Sequence, residues 1–133
     1  MGKPEISLYL DFCELFYQAG LKAGKKSSIV PYIIAGHPGS TMWDAIKLGL
    51  WLKKRKVRLE QVQEFTPTPM TISTCMYFTG LDFETGNPIF VPKGRDVRLQ
   101  KALVMWHEKE NRPLIKEALS KAQRLDMQDK FNN

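Results

Sequence analysis

The stretch from Val30 to Ile46, VPYIIAGHPGSTMWDAI, constrains the fold more than any other part of the chain. Its apolar run Tyr32–Ala35 does not alternate with polar residues, which is typical of a strand covered on both faces in a parallel sheet. A Gly-Pro-Gly corner follows. Thr41 stands three residues before Asp44, close to a capping box, so a helix is predicted from Met42. Strand, loop and helix in this order form a unit whose loop commonly carries ligands.

A second strand and loop follow this unit. The stretch Gln61–Phe65 alternates and runs into Thr-Pro-Thr-Pro, where each proline holds its predecessor away from the helical region. This pattern predicts a strand that ends in a rigid, extended loop. The segment 71–79 is ambiguous: its threonine, isoleucine and aromatic content suits a strand. Thr71 as a cap and Gly80 after the last turn suit a short helix, which we favour.

The remaining segments complete an α/β pattern. Residues 5–22 have the apolar period of an amphipathic helix, and a short strand is predicted at 89–91 after a turn at 82–88. Two C-terminal helices close the chain, the second with Asn111 as its cap and Pro113 in its first turn. The order predicts two main parallel strands with flanking helices and a C-terminal helical pair. A sheet of only two strands is small for this class of fold, so we expect the chain to be part of a larger domain.

Composition sets limits on the class of protein. The chain has 133 residues, 43% of them apolar and 26% charged, which is ordinary for one globular domain. No apolar run approaches the roughly 20 residues that cross a bilayer, and the N-terminus has no signal-peptide core, which predicts a cytoplasmic protein without a membrane partner. Cys13 and Cys75 form no CxxC pair, so we expect two free, buried thiols and no metal site built from neighbouring cysteines.

The formal net charge of +6 raises the question of nucleic acid. Basic residues are spread along the chain with two local clusters, 22–26 and 53–56, and both fall at predicted helix ends, where the macrodipole favours cations. We therefore do not expect nucleic acid to be the main partner. The alternative function is a small basic α/β module that binds nucleic acid or an acidic protein through cluster 53–56 and Trp51 on an exposed helix face. Self-association through unpaired sheet edges is a third reading.

The corner after the first strand is the first candidate site. Gly36 permits close approach to the backbone, Pro38 stiffens the turn, and the amides of Ser40 and its successors favour an anion or a polar ligand edge. The same features suit a turn without a ligand. His37 has no identifiable carboxylate partner, so we expect a structural hydrogen-bonding role rather than acid–base catalysis.

The loop after the second strand is the second candidate site. Gln63 offers an amide there, and Thr66, Thr68 and Thr71 offer hydroxyls. If the two strands are parallel neighbours, both loops open on the same edge of the sheet. A purely structural, proline-stiffened loop is equally compatible with the spacing. Because no Ser-His-Asp order, HExxH motif or paired carboxylates are present, we assign no catalytic residue and no metal ligand.

Three stretches resemble the C-terminal part of the catalytic region of YgiQ-type radical SAM proteins: PYIIAGHPGST, QVQEFTPTPMTISTCMYFTGLD and LQKALVMWHEKENRPLIKEAL. The likeness runs from about Phe12 to about Ala122. It implies a partial (β/α) barrel that binds a 4Fe-4S cluster and S-adenosylmethionine and reduces the latter to a 5′-deoxyadenosyl radical. On this reading residues 1–109 belong to the barrel, and residues 110–133 form a terminal helix and tail.

Radical SAM barrels commonly place an I-x-G pattern at the end of the fifth strand, where backbone and an apolar side chain meet the adenine. The resemblance assigns five cofactor-binding residues at the corner on this basis: Ile34, Gly36, His37, Pro38 and Gly39. Many relatives carry glutamate at the position of Ser40, so the resemblance implies no carboxylate role there. It assigns Gln63 and Thr66 to the neighbouring edge formed by the sixth strand.

The cluster of such enzymes is held by a CxxxCxxC loop near the start of the barrel. This sequence contains no such loop, and Cys13 and Cys75 do not correspond to it. The resemblance therefore implies that the iron–sulfur cluster and S-adenosylmethionine bind in a longer parent protein. It also implies that the N-terminal part of the same barrel is the partner of this segment. Alone, the segment is expected to hold no cofactor and to be inactive.

Overall fold

The structure is a computed structural model that describes residues 5–26 and 28–131. The chain divides into a first compact unit that ends at Pro31 and a second that begins at Tyr32. The first unit contains helix α1 (Ile6–Lys22), which agrees with the predicted amphipathic helix. α1 buries none of its residues: Phe12 and Leu15, from its apolar stripe, are 53% and 69% exposed.

The second unit begins with alternating strands and helices and ends with helices. Its elements are β1 (Ile33–Ala35), α2 (Met42–Lys54), β2 (Val62–Glu64), α3 (Ile72–Thr79), α4 (Arg95–Val104) and α5 (Arg112–Lys121). Two 3₁₀ helices, Lys109–Asn111 and Leu125–Lys130, precede and follow α5. Among the helices of the described chain, none is both long and apolar enough to cross a bilayer.

β1 and β2 form a two-stranded parallel sheet, which confirms the predicted pairing. The register sets Ile33 opposite Val62, Ile34 opposite Gln63, and Ala35 opposite Glu64. Side chains alternate between the two faces of a strand, so Ile33, Ala35 and Val62 share one face. That face packs against residues of α2 and α4, including the fully buried Leu52. The α/β class is therefore confirmed, whereas a barrel remains a prediction about a longer chain.

The other face of the sheet differs from the sequence prediction. A strand covered on both faces was expected, but Tyr32 is 69% exposed and Gln63 is also exposed. The described helices contact the sheet through α4, which lies against both strands. An apolar run without alternation predicts burial on both faces only when polypeptide is present on both. We call this uncovered side, with Tyr32, Ile34 and Gln63, the open face.

The main core lies where α2 and α5 pack against α4. Ile46, Leu99, Leu103 and Leu119 are fully buried there. Gly49 lets α2 approach α4 closely, because a Cβ at this position would lie 2.4 Å from the carbonyl oxygen of Leu103. Two ion pairs across α4 and α5 join Arg95 to Glu117 and Lys121 to Asp96.

The predicted starts of α2 and α3 have their expected caps. Thr41 and Asp44 form a complete capping box at the start of α2. The ambiguous segment is helical: the Thr71 side chain accepts from the Thr74 amide, and Gly80 ends α3 with a φ of 68°. The aromatic and β-branched content that suits a strand is therefore overridden by cap chemistry at both ends.

Several local predictions are wrong. Residues 89–91 form no strand, and only an isolated bridge between Leu81 and Pro88 is present there. Asn111 stands at the N-cap position of α5, as predicted, but its side chain makes no cap hydrogen bond, because its amide donates to the carbonyl of Met105 at 3.0 Å. Trp51 is half-buried against the core beside the sheet rather than on an exposed face. Pro113 does lie in the first turn of α5, as predicted.

Candidate functional site

Two loops leave the sheet at the same edge because β1 and β2 are parallel. The corner loop, Gly36–Thr41, follows β1, and the threonine loop, Phe65–Thr71, follows β2. The Phe65 amide donates to the carbonyl oxygen of Ala35 at 2.8 Å, so the loops begin side by side. We call this side of the sheet the loop edge.

Gln100 of α4 holds the corner loop in place. It is 3% exposed, and its Oε1 accepts from the Gly36 amide and from the Ser40 hydroxyl, each at 3.1 Å. Its Nε2 donates to the Ser40 carbonyl oxygen at 3.0 Å. The Gly39 amide donates to the Phe90 carbonyl oxygen at 2.8 Å. The polar groups of this loop are thus largely paired within the protein, as buried polar groups require.

Gly36 serves packing within the chain. Its φ is +77°, in the left-handed region that favours glycine. A Cβ at this position would lie 2.8 and 2.9 Å from the two methyl groups of Val97. The space on this side of Gly36, which the sequence assigned to an approaching ligand, is therefore filled by Val97.

His37 is buried and bonded through both ring nitrogens. Its Nδ1 lies 2.8 Å from the Pro38 carbonyl oxygen and its Nε2 lies 2.9 Å from Oγ of Ser73. The ring meets Phe65 edge-on, with 5.2 Å between the ring centroids. Burial lowers the pKa of the imidazole, against the raising effect of the Pro38 carbonyl. Both ring nitrogens of His37 are thus engaged in hydrogen bonds within the chain.

Two of the amides that the sequence offered to an anion or a polar ligand edge are bonded within the chain. The Ser40 amide donates to the His37 carbonyl oxygen, and the Thr41 amide donates to the Asp44 carboxylate, both at 3.0 Å. Burial disfavours the charged form of Asp44, but hydrogen bonds from Lys47 and Thr41 outweigh it and lower the pKa of the carboxyl. Asp44 itself thus supplies the negative charge that a helix start favours.

The threonine loop is held mainly by its own hydroxyls. Those of Thr71 and Thr74 both donate to the carbonyl oxygen of Thr68, at 3.0 and 2.6 Å. Met70 lies between Thr68 and Thr71 in the sequence and has a fully exposed side chain and a φ of 65°. A left-handed conformation costs a non-glycine residue about 1 kcal/mol or more. The loop is therefore rigid and strained, and it exposes an apolar side chain.

The open face brings together two residues that the sequence assigned to one site. Ile34 and Gln63 are register partners on adjacent strands, so their side chains stand next to each other. Gln63 is exposed and Ile34 is partly exposed. Thr66 is exposed where the threonine loop begins, while His37 and Pro38 are buried. The predicted residues thus separate into an accessible set and a set that supports the corner loop.

A small cavity opens beside β1. Its volume is about 90 Å³, and its lining includes Ile34, Ser40 and Gln100. Cavities that enclose drug-sized ligands measure roughly 300–1,000 Å³. This cavity alone is therefore too small for S-adenosylmethionine.

The two cysteines differ in exposure. Both are free, as predicted, but Cys13 is half-buried and Cys75 is exposed, so the expectation of buried thiols is wrong. They lie in different units of the chain. Within residues 5–26 and 28–131, no group of three or more His, Cys, Asp or Glu side chains could hold a metal ion.

Sequence reasoning missed two side chains of this site. Gln100 carried a signal, because it lies between Leu99 and Leu103 on the apolar stripe of α4, where a polar residue needs a partner. Ser73 carried none. The distance between Ser73 and His37 depends on the path of the threonine loop, which sets where α3 packs against the corner loop. Local sequence does not specify this long-range contact.

Comparison with known families matches residues 60–130 to a domain of unknown function, DUF3362. The matched region begins just before β2 and includes the threonine loop and every later helix. It covers more than half of the chain. The chain therefore belongs to the DUF3362 family.

The similar proteins are UPF0313 proteins. One from Geobacter sulfurreducens is 49% identical over 120 residues, which cover 90% of this chain and 20% of that protein. One from Methanosarcina acetivorans is 45% identical, with 96% of this chain and 17% of that protein covered. A third, from Clostridium botulinum, is 41% identical, with 96% of this chain and 20% of that protein covered. The chain thus spans about a fifth of the length of these relatives. No solved structure matches it significantly.

Proposed function

We propose that this chain is the segment of a radical SAM iron–sulfur protein that contributes part of the surface facing S-adenosylmethionine. The observation that carries the proposal is the pairing of Ile34 with Gln63 on the open face of a parallel sheet, beside the loop edge. Ligands of α/β proteins bind at the carboxyl ends of parallel strands. The three stretches similar to YgiQ-type proteins, and the length of the UPF0313 relatives, support the same conclusion.

The accessible residues fit an adenosine moiety. Ile34 offers an apolar side chain to the face of a purine, and Gln63 next to it offers both a donor and an acceptor to a polar edge. Thr66 and Gly39 are exposed on the two loops that leave this edge of the sheet. These four residues are our proposed contacts with the cofactor.

The other assigned residues fit a supporting role. The amide of Gly36 is bonded to Gln100, and Val97 fills the space beside it. His37 and Pro38 are buried. We therefore propose that these three residues hold the corner loop in the shape that positions Ile34, and that they do not touch the cofactor directly.

The proposed partner is the remaining, N-terminal part of the same barrel. Ala35 bonds to β2, so the N–H and C=O of its neighbour Ile34 point to the opposite edge of β1. The sheet of the described residues has two strands, which leaves that edge available to a further strand. Ile72 and Phe78 on α3 are 53% and 75% exposed, which adds apolar surface for such a partner to cover.

This division of labour explains why the segment alone is proposed to be inactive. In a radical SAM enzyme the 4Fe-4S cluster supplies the electron that cleaves S-adenosylmethionine, and it needs cysteine thiolates. A few contacts with adenosine supply little affinity on their own. The role of this chain is to position one end of the cofactor and to exclude water. On the sequence evidence we place the protein in the cytoplasm.

The test compares this chain with the longer protein that contains it. After anaerobic reconstitution, we expect the longer protein to bind four iron atoms per cluster and to release 5′-deoxyadenosine from S-adenosylmethionine with a reductant. The 133-residue chain should do neither. Failure of the longer protein to bind iron, or a 4Fe-4S absorption band in this chain, would overturn the proposal.

The structure gives less support to the alternative function, a basic module that binds nucleic acid or an acidic protein. The Arg55 guanidinium lies 4.7 Å from the Trp51 ring centroid, and Lys53 Nζ lies 5.3 Å from that of Trp106. Both rings near the basic cluster are thus partly covered by its own cations, which leaves less aromatic surface for bases. Submicromolar, strongly salt-dependent binding of an oligonucleotide would restore this alternative.

A further inference from the structure

Ser73 and His37 form a hydrogen-bonded pair in which the donor and the acceptor can be assigned. A carbonyl oxygen only accepts, so the contact between His37 Nδ1 and the Pro38 carbonyl places the proton on Nδ1. Nε2 of the neutral ring is then an acceptor, and the Ser73 hydroxyl donates to it over 2.9 Å. The order of hydroxyl, imidazole and fixed acceptor is the order in which a general base activates a serine.

The charge state of the imidazole suits a base. Burial lowers the pKa of His37 below its usual 6.5, so the ring is mainly neutral at pH 7. Its three described neighbours, the Phe65 ring, the Ser73 hydroxyl and the Pro38 carbonyl, are uncharged. The ring is therefore ready to accept a proton and is fixed in one tautomer.

The surroundings of the serine supply the other parts of such a site. Ser73 is the second residue of α3, and the amides of Ile72 and Ser73, in the first turn, have no carbonyl one turn earlier in the helix. Such amides stabilise a developing oxyanion. Tyr77 lies one helical turn after Ser73 on the same side, 5.8 Å from Phe65 between ring centroids, with Lys93 over its ring. Ser73 is partly exposed, so a small molecule can reach it.

We propose that Ser73 is a nucleophile, activated by His37, that accepts acyl groups from small activated esters. Two aromatic rings, Phe65 and Tyr77, lie beside the serine and limit the space for the acyl group, which favours a short acyl chain. This proposal concerns residues outside the proposed cofactor contacts, so it stands or falls independently of the radical SAM assignment.

The proposed reaction balances without a further reagent. Oγ of Ser73 attacks the carbonyl carbon of the ester while its proton passes to Nε2 of His37, and the carbonyl electron pair moves to the oxygen near the α3 amides. When this intermediate collapses, the bond to the leaving alcohol breaks and the alcohol takes the proton from Nε2. Water then attacks the acyl-serine in the same way and releases the carboxylic acid.

The experiment treats the folded 133-residue chain with a fluorophosphonate probe, which transfers its phosphonyl group to activated serines and releases fluoride. Mass spectrometry should find one adduct, on Ser73, and Ser73→Ala should remove it. His37→Gln should slow labelling by roughly 10²-fold, the usual contribution of a general base. Ser120→Ala, at an exposed serine of α5, is the matched control and should change nothing.

The pH profile provides a second readout if His37→Gln does not fold. The labelling rate of the unmodified chain should rise with pH through a single titration below pH 6.5 and then stay level. Hydrolysis of p-nitrophenyl acetate should follow the same profile. No adduct on Ser73 in the folded chain, or labelling that ignores both pH and His37→Gln, overturns the proposal.

Discussion

The corner loop and the threonine loop leave the same edge of one sheet, yet they are stabilised in opposite ways. The corner loop is bonded to residues distant in sequence, with Gln100 as its main partner. The threonine loop is bonded to itself, through hydroxyls that reach the carbonyl of Thr68. The first loop is largely buried and the second is exposed.

This difference shows which loop is available to a ligand. A loop whose polar groups are already paired presents few free hydrogen-bonding groups, however suggestive its sequence. In our proposal the corner loop is therefore a support that positions Ile34 at the end of β1. The threonine loop also pairs its hydroxyls, within itself, but it is exposed, and Gln63 just before it presents an accessible amide. Four predictions test this comparison, from the largest expected effect to the smallest.

Gln100→Leu should be the most destabilising change. It removes the partners of the Gly36 amide and the Ser40 carbonyl in a buried setting, and each unsatisfied group costs about 1–3 kcal/mol. We expect the free energy of unfolding in urea to fall by about 3 kcal/mol. Gln61→Leu, at an exposed glutamine, should leave it within about 0.5 kcal/mol. Equal effects would mean that Gln100 does not support the loop.

Gly36→Ala should destabilise the protein by about 2 kcal/mol, from left-handed backbone strain and the overlap with Val97. Gly39→Ala is the matched variant, since its φ is also positive, at +87°, but no atom lies within 4 Å of a Cβ there. It should cost about 1 kcal/mol. In a chain that also carries Val97→Ala, the free energies of unfolding of the two alanine variants should differ less. An unchanged difference would contradict the close packing of Gly36 against Val97.

Thr71→Ala tests the self-supported loop. It removes the cap of α3 and one of the bonds to the Thr68 carbonyl, so the free energy of unfolding should fall by about 1 kcal/mol. Thr66→Ala removes only a long bond of 3.4 Å and should have almost no effect. If both variants behave alike, the threonine loop does not depend on its cap.

The smallest effect is a dependence of stability on pH. The pKa of His37 is lowered in the folded state, so the unfolded chain binds more protons below the ordinary value of 6.5. Stability should therefore be complete above pH 6.5 and should decline as the pH falls below it. His37→Gln should flatten this part of the curve, as measured by urea midpoints at several pH values. A curve of the same slope in both proteins would contradict the buried, neutral ring.

Local signals in the sequence predicted much of this fold, and long-range contacts explain where it failed. The cap at Thr41, the cap at Thr71 and the glycine after α3 act within a few residues, so their helices could be predicted. The role of Gln100 depends on a contact across 64 positions with Gly36, which one sequence does not reveal. At the start of α2 the sequence did not reveal that the Asp44 carboxylate accepts from the Thr41 amide.

The same distinction between local signals and long-range contacts applies to the candidate site. The alternation along β2 and the proline loop after it predicted that Gln63 would stand at the end of a strand. The register that sets it opposite Ile34 was not predicted and is seen only in the structure. The approach of Ser73 to His37 could not be predicted, because it depends on the path of the threonine loop through a left-handed residue, Met70.

The most direct test of the central claim measures the affinity of the longer, anaerobically reconstituted protein for S-adenosylmethionine. Gln63→Leu removes an amide that we place against the cofactor and should raise the dissociation constant about tenfold, the equivalent of one hydrogen bond of about 1.4 kcal/mol. Gln61→Leu, just before the start of β2 and farther from the loop edge, should leave it within about twofold. Equal affinities for the two variants would contradict the account, because the open face beside the loop edge would then not face the cofactor.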